Sequence, residues 1–317
     1  MNALRVGLSV RSDTPPELFE LVDFLEVKKV SSSEAVAIQE ASGKPLLFHL
    51  QYLPGGSYVL ATSFPLDQIR DSLEAVWDAI RPRHVSLHFG PATTRIRLED
   101  DAYLIVGLDP PLSRGAILQR LEHNLRFLKS ICPGSLVLIE NIEFVPEFLS
   151  RGGYRYISEA EFFSQSVITW KNAGILDGII FDIAHGLIAS GNHPLYNGLA
   201  QRNRTWTDAV RTDEAYGAAL NDLRSEDLLH AYRAYIDKMP LDLVREIHLS
   251  GIHRTEEGVW LDAHEEVGEL ELEALHILLH HPTLRKDGDT AVTLEYNRKP
   301  DRIRPQIEKI RNFLCTQ

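Results

Sequence analysis

Eight short apolar segments alternate with helix-like segments along the whole chain of 317 residues. The apolar segments are Leu4–Val10, Phe24–Val30, Leu46–Leu50, Val85–Phe89, Leu136–Asn141, Gly178–Ile183, Val244–Ser250 and Ala291–Tyr296. They are apolar on both faces, which is typical of parallel strands covered by helices. Eight β/α units predict an α/β fold, a single (β/α)8 TIM barrel domain that spans residues 1–317. A doubly wound open sheet is the alternative, but no glycine-rich fingerprint follows the first strand.

Helical periodicity and capping signals mark the segments between the strands. Leu66–Ile80 and Arg114–Ile131 carry apolar residues at the spacing of a buried helix face. A Ser-x-x-Glu pattern predicts a capping box at the start of a helix over Ser158–Lys171. The longest connection, about 188–222, is rich in Asn, Gly and Arg, and we expect a loop insertion over the barrel mouth.

Charge and cysteine content narrow the class of partner. The formal net charge is −12, which argues against nucleic acid as a partner because phosphate-binding proteins usually present a basic face. Two distant cysteines exclude a disulfide framework and a CxxC motif. The chain shows no signal-peptide pattern at its start and no apolar run of the roughly 18–20 residues that span a bilayer. We therefore expect a cytoplasmic protein that does not enter membranes.

Ionisable side chains occur at the ends of six of the eight apolar segments. They are His49, His88, Glu140, Asp182, His185, His248 and Glu295, and the predicted loop Leu261–His264 adds Asp262 and His264. The carboxyl ends of the strands meet on one face of a TIM barrel, so these side chains are predicted to converge. Nine oxygen and nitrogen ligands without a thiolate exceed the needs of one tetrahedral zinc and suit two or three metals. Ligand type does not choose among iron, zinc and manganese.

Each of these residues also has a simpler interpretation when it is taken alone. A lone buried histidine such as His49 is more often structural than a ligand, and Asp182 with His185 is also consistent with a hydrogen-bonded pair. His84 precedes its strand and is predicted to lie at the opposite end of the barrel. His193 and His253 fall in predicted loops above the mouth, where substrate binding or an extra ligand role stays open.

Several segments resemble the multinuclear non-heme iron-dependent oxidases of the methanobactin-biosynthesis type. These segments are Val22–Val27, Leu138–Asn141, Ile157–Phe163, Met239–Gly251 and Asp262–His264. The resemblance implies a xylose-isomerase-like TIM barrel with two or three irons, in Fe(II) and Fe(III) states, that uses dioxygen to modify a residue in a ribosomally made peptide. It also implies a small partner protein that recognises the peptide leader. It carries over as metal ligands His49, His88, Glu140, Asp182, His248, Asp262, His264 and Glu295.

A second resemblance, to the AP endonuclease IV family, involves Phe181–Gly186 and the same ligand pattern. It implies a three-zinc site for phosphodiester hydrolysis and adds His185 to the ligand set. The oxidases typically carry asparagines where this chain has Ala184 and His185. A sugar isomerase or epimerase is a third alternative, but it needs fewer ligands, and a metal-storage protein is a non-enzymatic one. The oxidase is the favoured prediction because the amino-terminal segments do not resemble the endonuclease.

Overall fold

The computed structural model describes residues 4–28, 30–50, 62, 64–99, 104–200, 225–255, 259–285, 290–296 and 298–317. No helix among these residues is long and apolar enough to cross a membrane.

Eight parallel strands close into a barrel. They are β1 Arg5–Val10, β2 Phe24–Val27, β3 Leu46–His49, β4 His84–His88, β5 Leu136–Glu140, β6 Gly178–Asp182, β7 Val244–Leu249 and β8 Ala291–Leu294. Each strand pairs with the next, and β1 closes the barrel on β8 with Arg5 opposite Ala291 and Leu8 opposite Leu294. All eight predicted strands and the TIM barrel are therefore confirmed, whereas the domain limits 1–317 stay a prediction.

Helices cover the outside of the barrel. They are α1 Ser32–Ser42, α2 Arg70–Ile80, α3 Arg114–Ile131, α4 Glu147–Ser150, α5 Ala160–Asn172, α6 Ile183–Ala200, α7 Ser225–Ile236, α8 Glu269–Leu279 and α9 Pro300–Leu314. Helix α3 has the predicted bounds, and a 3₁₀ turn over Leu66–Ile69 leads into α2. The predicted capping box at Ser158 is wrong. Helix α5 starts at Ala160, and the Ser158 hydroxyl instead lies 3.0 Å from Nε2 of His193.

Three further regions differ from the prediction. Residues 188–200 were expected in a loop but belong to α6, because Leu187 and Ile188 form part of a buried apolar stretch; the rest of that predicted insertion lies outside the described residues. Asp262 and His264 lie on a strand, Trp260–Glu265, which pairs antiparallel with Gly251–Arg254. A second hairpin, Ile96–Glu99 with Leu104–Gly107, was also not predicted.

Part of the inside of the barrel is polar. Glu246 and His248 are two residues apart on β7, so both side chains face the same side of the strand, and both are fully buried. The Thr293 hydroxyl on β8 donates a hydrogen bond to Glu246, and Glu26 on β2 is also fully buried. Buried carboxylates need a cationic or hydrogen-bonding partner, so this interior layer is coupled to the charges at the strand ends.

Candidate metal centre

The structure brings all nine predicted ligands together at the carboxyl end of the barrel. Strands β3 to β8 supply His49, His88, Glu140, Asp182, His248 and, one residue past the end of β8, Glu295. The first turn of α6 supplies His185, and the hairpin strand supplies Asp262 and His264. None of the nine is more than 7% exposed. Their role as metal ligands remains a prediction, and the contacts divide them into three groups.

The first group consists of His49, His88 and Glu140. Nε2 of His49 lies 3.2 Å from Nε2 of His88 and 3.4 Å from Oε2 of Glu140. Nε2 of His88 lies 3.5 Å from the same Glu140 oxygen. One atom from each side chain therefore faces a common centre, and the three residues form a group that could hold a metal ion.

The second group is built around His248. Its Nδ1 atom lies 3.3 Å from Oε1 of Glu140 and 3.2 Å from Oε1 of Glu295. Asp182 joins Glu140 and His248 in another possible metal-binding set. Because its two oxygens face different groups, Glu140 is placed to bridge the first and second groups.

The third group consists of His185, Asp262 and His264. Oδ2 of Asp262 lies 3.5 Å from Nε2 of His185 and 3.1 Å from Nε2 of His264. Oε2 of Glu295 lies 3.3 Å from the same His264 nitrogen, so Glu295 connects the third group to the second. The carboxylates thus link all nine side chains into one cluster.

The spacing of these atoms fits bound cations. Two ligand atoms about 2.1 Å from one ion lie roughly 3.0–3.4 Å apart at octahedral or tetrahedral angles. The eight ligand-atom distances given above fall between 3.1 and 3.5 Å. Oδ2 of Asp182 and Oδ1 of Asp262 are buried and make no hydrogen bond within the described part of the chain. Buried carboxylate oxygens of this kind are costly unless a cation is present.

The local backbone explains how Asp182 and His185, which are three residues apart in sequence, reach the same site. Asp182 ends β6, and its Oδ1 atom accepts a hydrogen bond of 2.7 Å from the backbone N–H of His185, as a helix N-cap side chain does. Asn141 fixes the same strand end, because its side chain bonds the backbone N–H and the carbonyl of Asp182.

Hydrogen bonds on the far side of three imidazole rings orient their ligand atoms. Nδ1 of His185 donates to the carbonyl oxygen of Asn141 at 2.8 Å, and Nδ1 of His49 lies 2.9 Å from the Ser86 hydroxyl. Nε2 of His248 lies 3.0 Å from Oε2 of Glu26. Metal-binding histidines usually bond through their second nitrogen in this way, which fixes the tautomer.

Burial and neighbouring charges set the protonation of the cluster without metal. Burial lowers the pKa of His88 to about 4 and that of His49 well below its usual value, so both rings are neutral and available as ligands. Burial also raises the pKa of Asp182 to about 7. For His264, burial acts to lower the pKa, but attraction to Asp262 outweighs it and raises the pKa to about 10.

Four buried charged residues beside the cluster were not predicted as part of the site. Nζ of Lys28 contacts Glu295 closely and lies 3.6 Å from Oε1 of Glu26. Glu246 lies 3.7 Å from Nε2 of His248, and Glu143 lies 3.2 Å from Nε2 of His185. Glu26 and Lys28 interrupt a predicted apolar strand, which was an available signal, whereas the sequence around Glu143 contains none.

The remaining histidines of interest lie away from the nine residues. The His193 ring stacks on Phe144 with centroids 4.1 Å apart, and His253 is half-exposed with its contact to Glu265 at 3.2 Å. His84 begins β4 at the opposite end of the barrel, as predicted, and its Nε2 atom lies 2.6 Å from Glu246. No described contact joins His193 or His253 to the predicted ligands.

Comparisons with known proteins give a fold but no family. No protein-family model and no curated protein matches the sequence. Endonuclease IV from Thermus thermophilus is similar in structure with a TM-score of 0.58 and 16% identity, over 99% of this chain and 100% of that one. A structure described as AsfvAP:AG has a TM-score of 0.55 and 11% identity, over 98% and 99%. A xylose isomerase-like TIM barrel protein from Mycobacterium smegmatis, in complex with magnesium, has a TM-score of 0.48 and 11% identity, over 99% and 97%. These similarities and the closed eight-stranded sheet agree on a (β/α)8 TIM barrel fold.

Proposed function

We propose that this protein is a multinuclear non-heme iron oxidase that uses dioxygen to modify a residue of a ribosomally made peptide. The group of His49, His88 and Glu140 carries the proposal. Two histidines and one carboxylate on one side of an ion, with open positions opposite, are the ligand set of non-heme Fe(II) oxygenases. The oxidase-like sequence segments support the same assignment.

The charge of the whole chain supports a peptide over a nucleic acid as the substrate. The formal net charge is −12, and a polyanionic backbone is bound most readily by a basic surface.

The side chains of the chain itself have separable tasks in this proposal. Bound iron would supply the redox chemistry with dioxygen, which is the oxidant. Glu140, whose two oxygens face different groups, would help to hold ions of both, and Asn141 holds Asp182 and His185 at the end of β6. The nearly complete burial of the nine residues excludes bulk water, which strengthens electrostatic interactions inside the site. The peptide substrate, a small leader-recognition partner and a cytoplasmic location belong to the same proposal and rest on the resemblance.

Metal analysis of anaerobically purified protein tests the proposal. We expect two or three irons per chain after expression with ample iron, and oxygen uptake when the peptide substrate is added. Two histidines of one hairpin provide a matched pair. His264→Ala is expected to lower the metal content, whereas His253→Ala, which changes a half-exposed ring, is expected to leave it unchanged. Two or three zinc ions without iron under these conditions would refute the oxidase.

Zinc-dependent phosphodiester hydrolysis is the second candidate. The specific observation in its favour is His185, which shares Asp262 with His264 and so completes a third possible metal position. Clustered zinc ions would activate water and stabilise the leaving oxygen. Incision of a DNA duplex at an abasic site by the zinc-loaded protein, and its absence with the iron-loaded protein, would favour this candidate over the oxidase.

A further inference from the structure

We infer that Glu143 is a fourth protein ligand of the third ion position, together with His185, Asp262 and His264. The inference rests on the proposed metal centre and adds a ligand that neither family resemblance supplies. Glu143 follows β5 by three residues and is 4% exposed.

The geometry around Nε2 of His185 provides the first argument. Oε2 of Glu143 lies 3.2 Å from this nitrogen, and Oδ2 of Asp262 lies 3.5 Å from it. These separations match those between the other predicted ligand atoms, such as 3.4 Å between His49 and Glu140. The distance between Glu143 and His185 is therefore the one expected between two ligands of the same ion.

The tautomer of His185 provides the second argument. Its Nδ1 atom faces the carbonyl oxygen of Asn141, which can only accept a hydrogen bond, so Nδ1 carries a proton. Its Nε2 atom therefore is the ring atom that faces the carboxylates of Glu143 and Asp262. In the metal-free protein these carboxylates can pair with a proton on Nε2. A metal ion would take the place of that proton, because a ligand imidazole must be neutral.

A buried tyrosine holds Glu143 in place. The Tyr154 hydroxyl accepts a hydrogen bond of 3.0 Å from the backbone N–H of Ile105, and its own hydrogen bonds to Glu143. Tyr154 is fully buried, so the carboxylate has little freedom to turn away from His185. Supporting hydrogen bonds of this kind orient ligating carboxylates in metal sites.

With four protein ligands, the third ion position has fewer open coordination positions than the first. Each protein ligand occupies a coordination position that water, dioxygen or substrate would otherwise take, so an ion with four protein ligands has fewer open positions than one with three. The first group, with His49, His88 and Glu140, retains open positions. The third ion is therefore assigned a charge-balancing and structural task, and the reaction takes place at the first and second positions.

Titration of the metal-free variants with Fe(II) in the absence of oxygen tests this assignment. We expect three equivalents in the wild-type protein, with Glu143→Ala weakening one of them by about 100-fold and Glu143→Gln, which keeps the shape, by about 10-fold. Tyr154→Phe is expected to weaken the same equivalent by less. Glu147→Gln is the matched control, because Glu147 lies four residues further on and pairs with Arg155 instead. Affinities are measured by competition with a chromophoric chelator, and circular dichroism checks folding.

The outcomes separate the two proposals. Three equivalents with wild-type affinity in both Glu143→Ala and Glu143→Gln would overturn the assignment of Glu143 and leave the metal centre intact. Fewer than three equivalents in the wild-type protein would also overturn it. A wild-type protein that binds no metal would refute the proposed function itself.

Discussion

The buried carboxylate of Glu26 offers the most direct test of how the cluster is organised. Its Oε2 atom lies 3.0 Å from Nε2 of His248, whose Nδ1 atom faces Glu140 and Glu295 at 3.3 and 3.2 Å. Glu26 thus holds the Nε2–H tautomer and leaves Nδ1 as the ligand atom. We predict that Glu26→Gln weakens metal binding at the second position without unfolding the barrel.

The expected loss of metal affinity follows from the hydrogen bond between Glu26 and His248 that the substitution weakens. A hydrogen bond to a charged group contributes about 1.5–3 kcal/mol, and loss of a carboxylate behind a metal-binding histidine usually costs about 10- to 100-fold in affinity. Both figures centre near 2 kcal/mol, which corresponds to roughly 30-fold in the dissociation constant. Glu246→Gln removes the same charge from the same interior, but Glu246 lies 3.7 Å from His248, beyond hydrogen-bonding distance. For Glu246→Gln we expect the dissociation constant for metal to rise by less than about 5-fold.

Chelator competition on purified metal-free protein measures both variants, and thermal unfolding without metal checks that each still folds. Equal weakening in the two variants would show that only the net charge of the interior counts. Unchanged affinity in Glu26→Gln would show that Glu26 does not orient His248, and the assignment of Nδ1 as the ligand atom would be wrong.

Three further predictions concern residues outside the cluster. Burial lowers the pKa of His193 to about 4. The unfolded chain therefore takes up a proton first as the pH falls below about 6.5, and stability should fall by up to about 3 kcal/mol toward pH 4. Urea unfolding should show a smaller loss for His193→Phe, and an equal loss would contradict this. Burial raises the pKa of the Cys132 thiol to about 12, so a thiol reagent at pH 8 should modify the exposed Cys315 alone until the protein is denatured. A Cβ atom on Gly7 would lie 2.2 Å from the Phe24 ring, so Gly7→Ala should destabilise the protein by about 1–3 kcal/mol. The unfolding temperature of Gly7→Ala should recover in combination with Phe24→Leu, and no recovery would place the strain elsewhere.

The barrel was predictable because parallel strands are buried on both faces. Such strands give continuous apolar runs, and all eight runs, from Arg5–Val10 to Ala291–Leu294, correspond to barrel strands. The two hairpins were missed because their strands pair with each other outside the barrel. A local pair of this kind leaves neither a long apolar run nor a helical period in the sequence. Trp260–Glu265 is the important case, because it carries Asp262 and His264.

The residues that were predicted for the site lie at strand ends, which the barrel topology brings together. Two of the residues that were missed lie inside strands, where the direction of the side chain decides whether a residue belongs to the site. Residues at the carboxyl ends of barrel strands converge whatever the detailed register, so His49 and Glu295 could be assigned to one face. Glu26 lies within β2 and Glu246 within β7, where alternate residues face opposite sides. Which of them points inward depends on strand register, and a shift of one residue would reverse it. Glu143 depends on a loop path that the sequence does not specify.

The missed residues strengthen the argument for several metal ions. With Glu26, Glu143 and Glu246, the interior holds seven buried carboxylates, whereas Lys28 is the one buried lysine among the described residues around them. Protonated His185, His248 and His264 can offset part of this charge in the metal-free protein, and attraction to neighbouring carboxylates raises the pKa of each ring against the effect of burial. Metal binding removes those protons, because a ligand imidazole must be neutral. One divalent ion would then leave most of the negative charge unbalanced, and three would nearly neutralise it, so the charge of the interior favours occupation of all three positions.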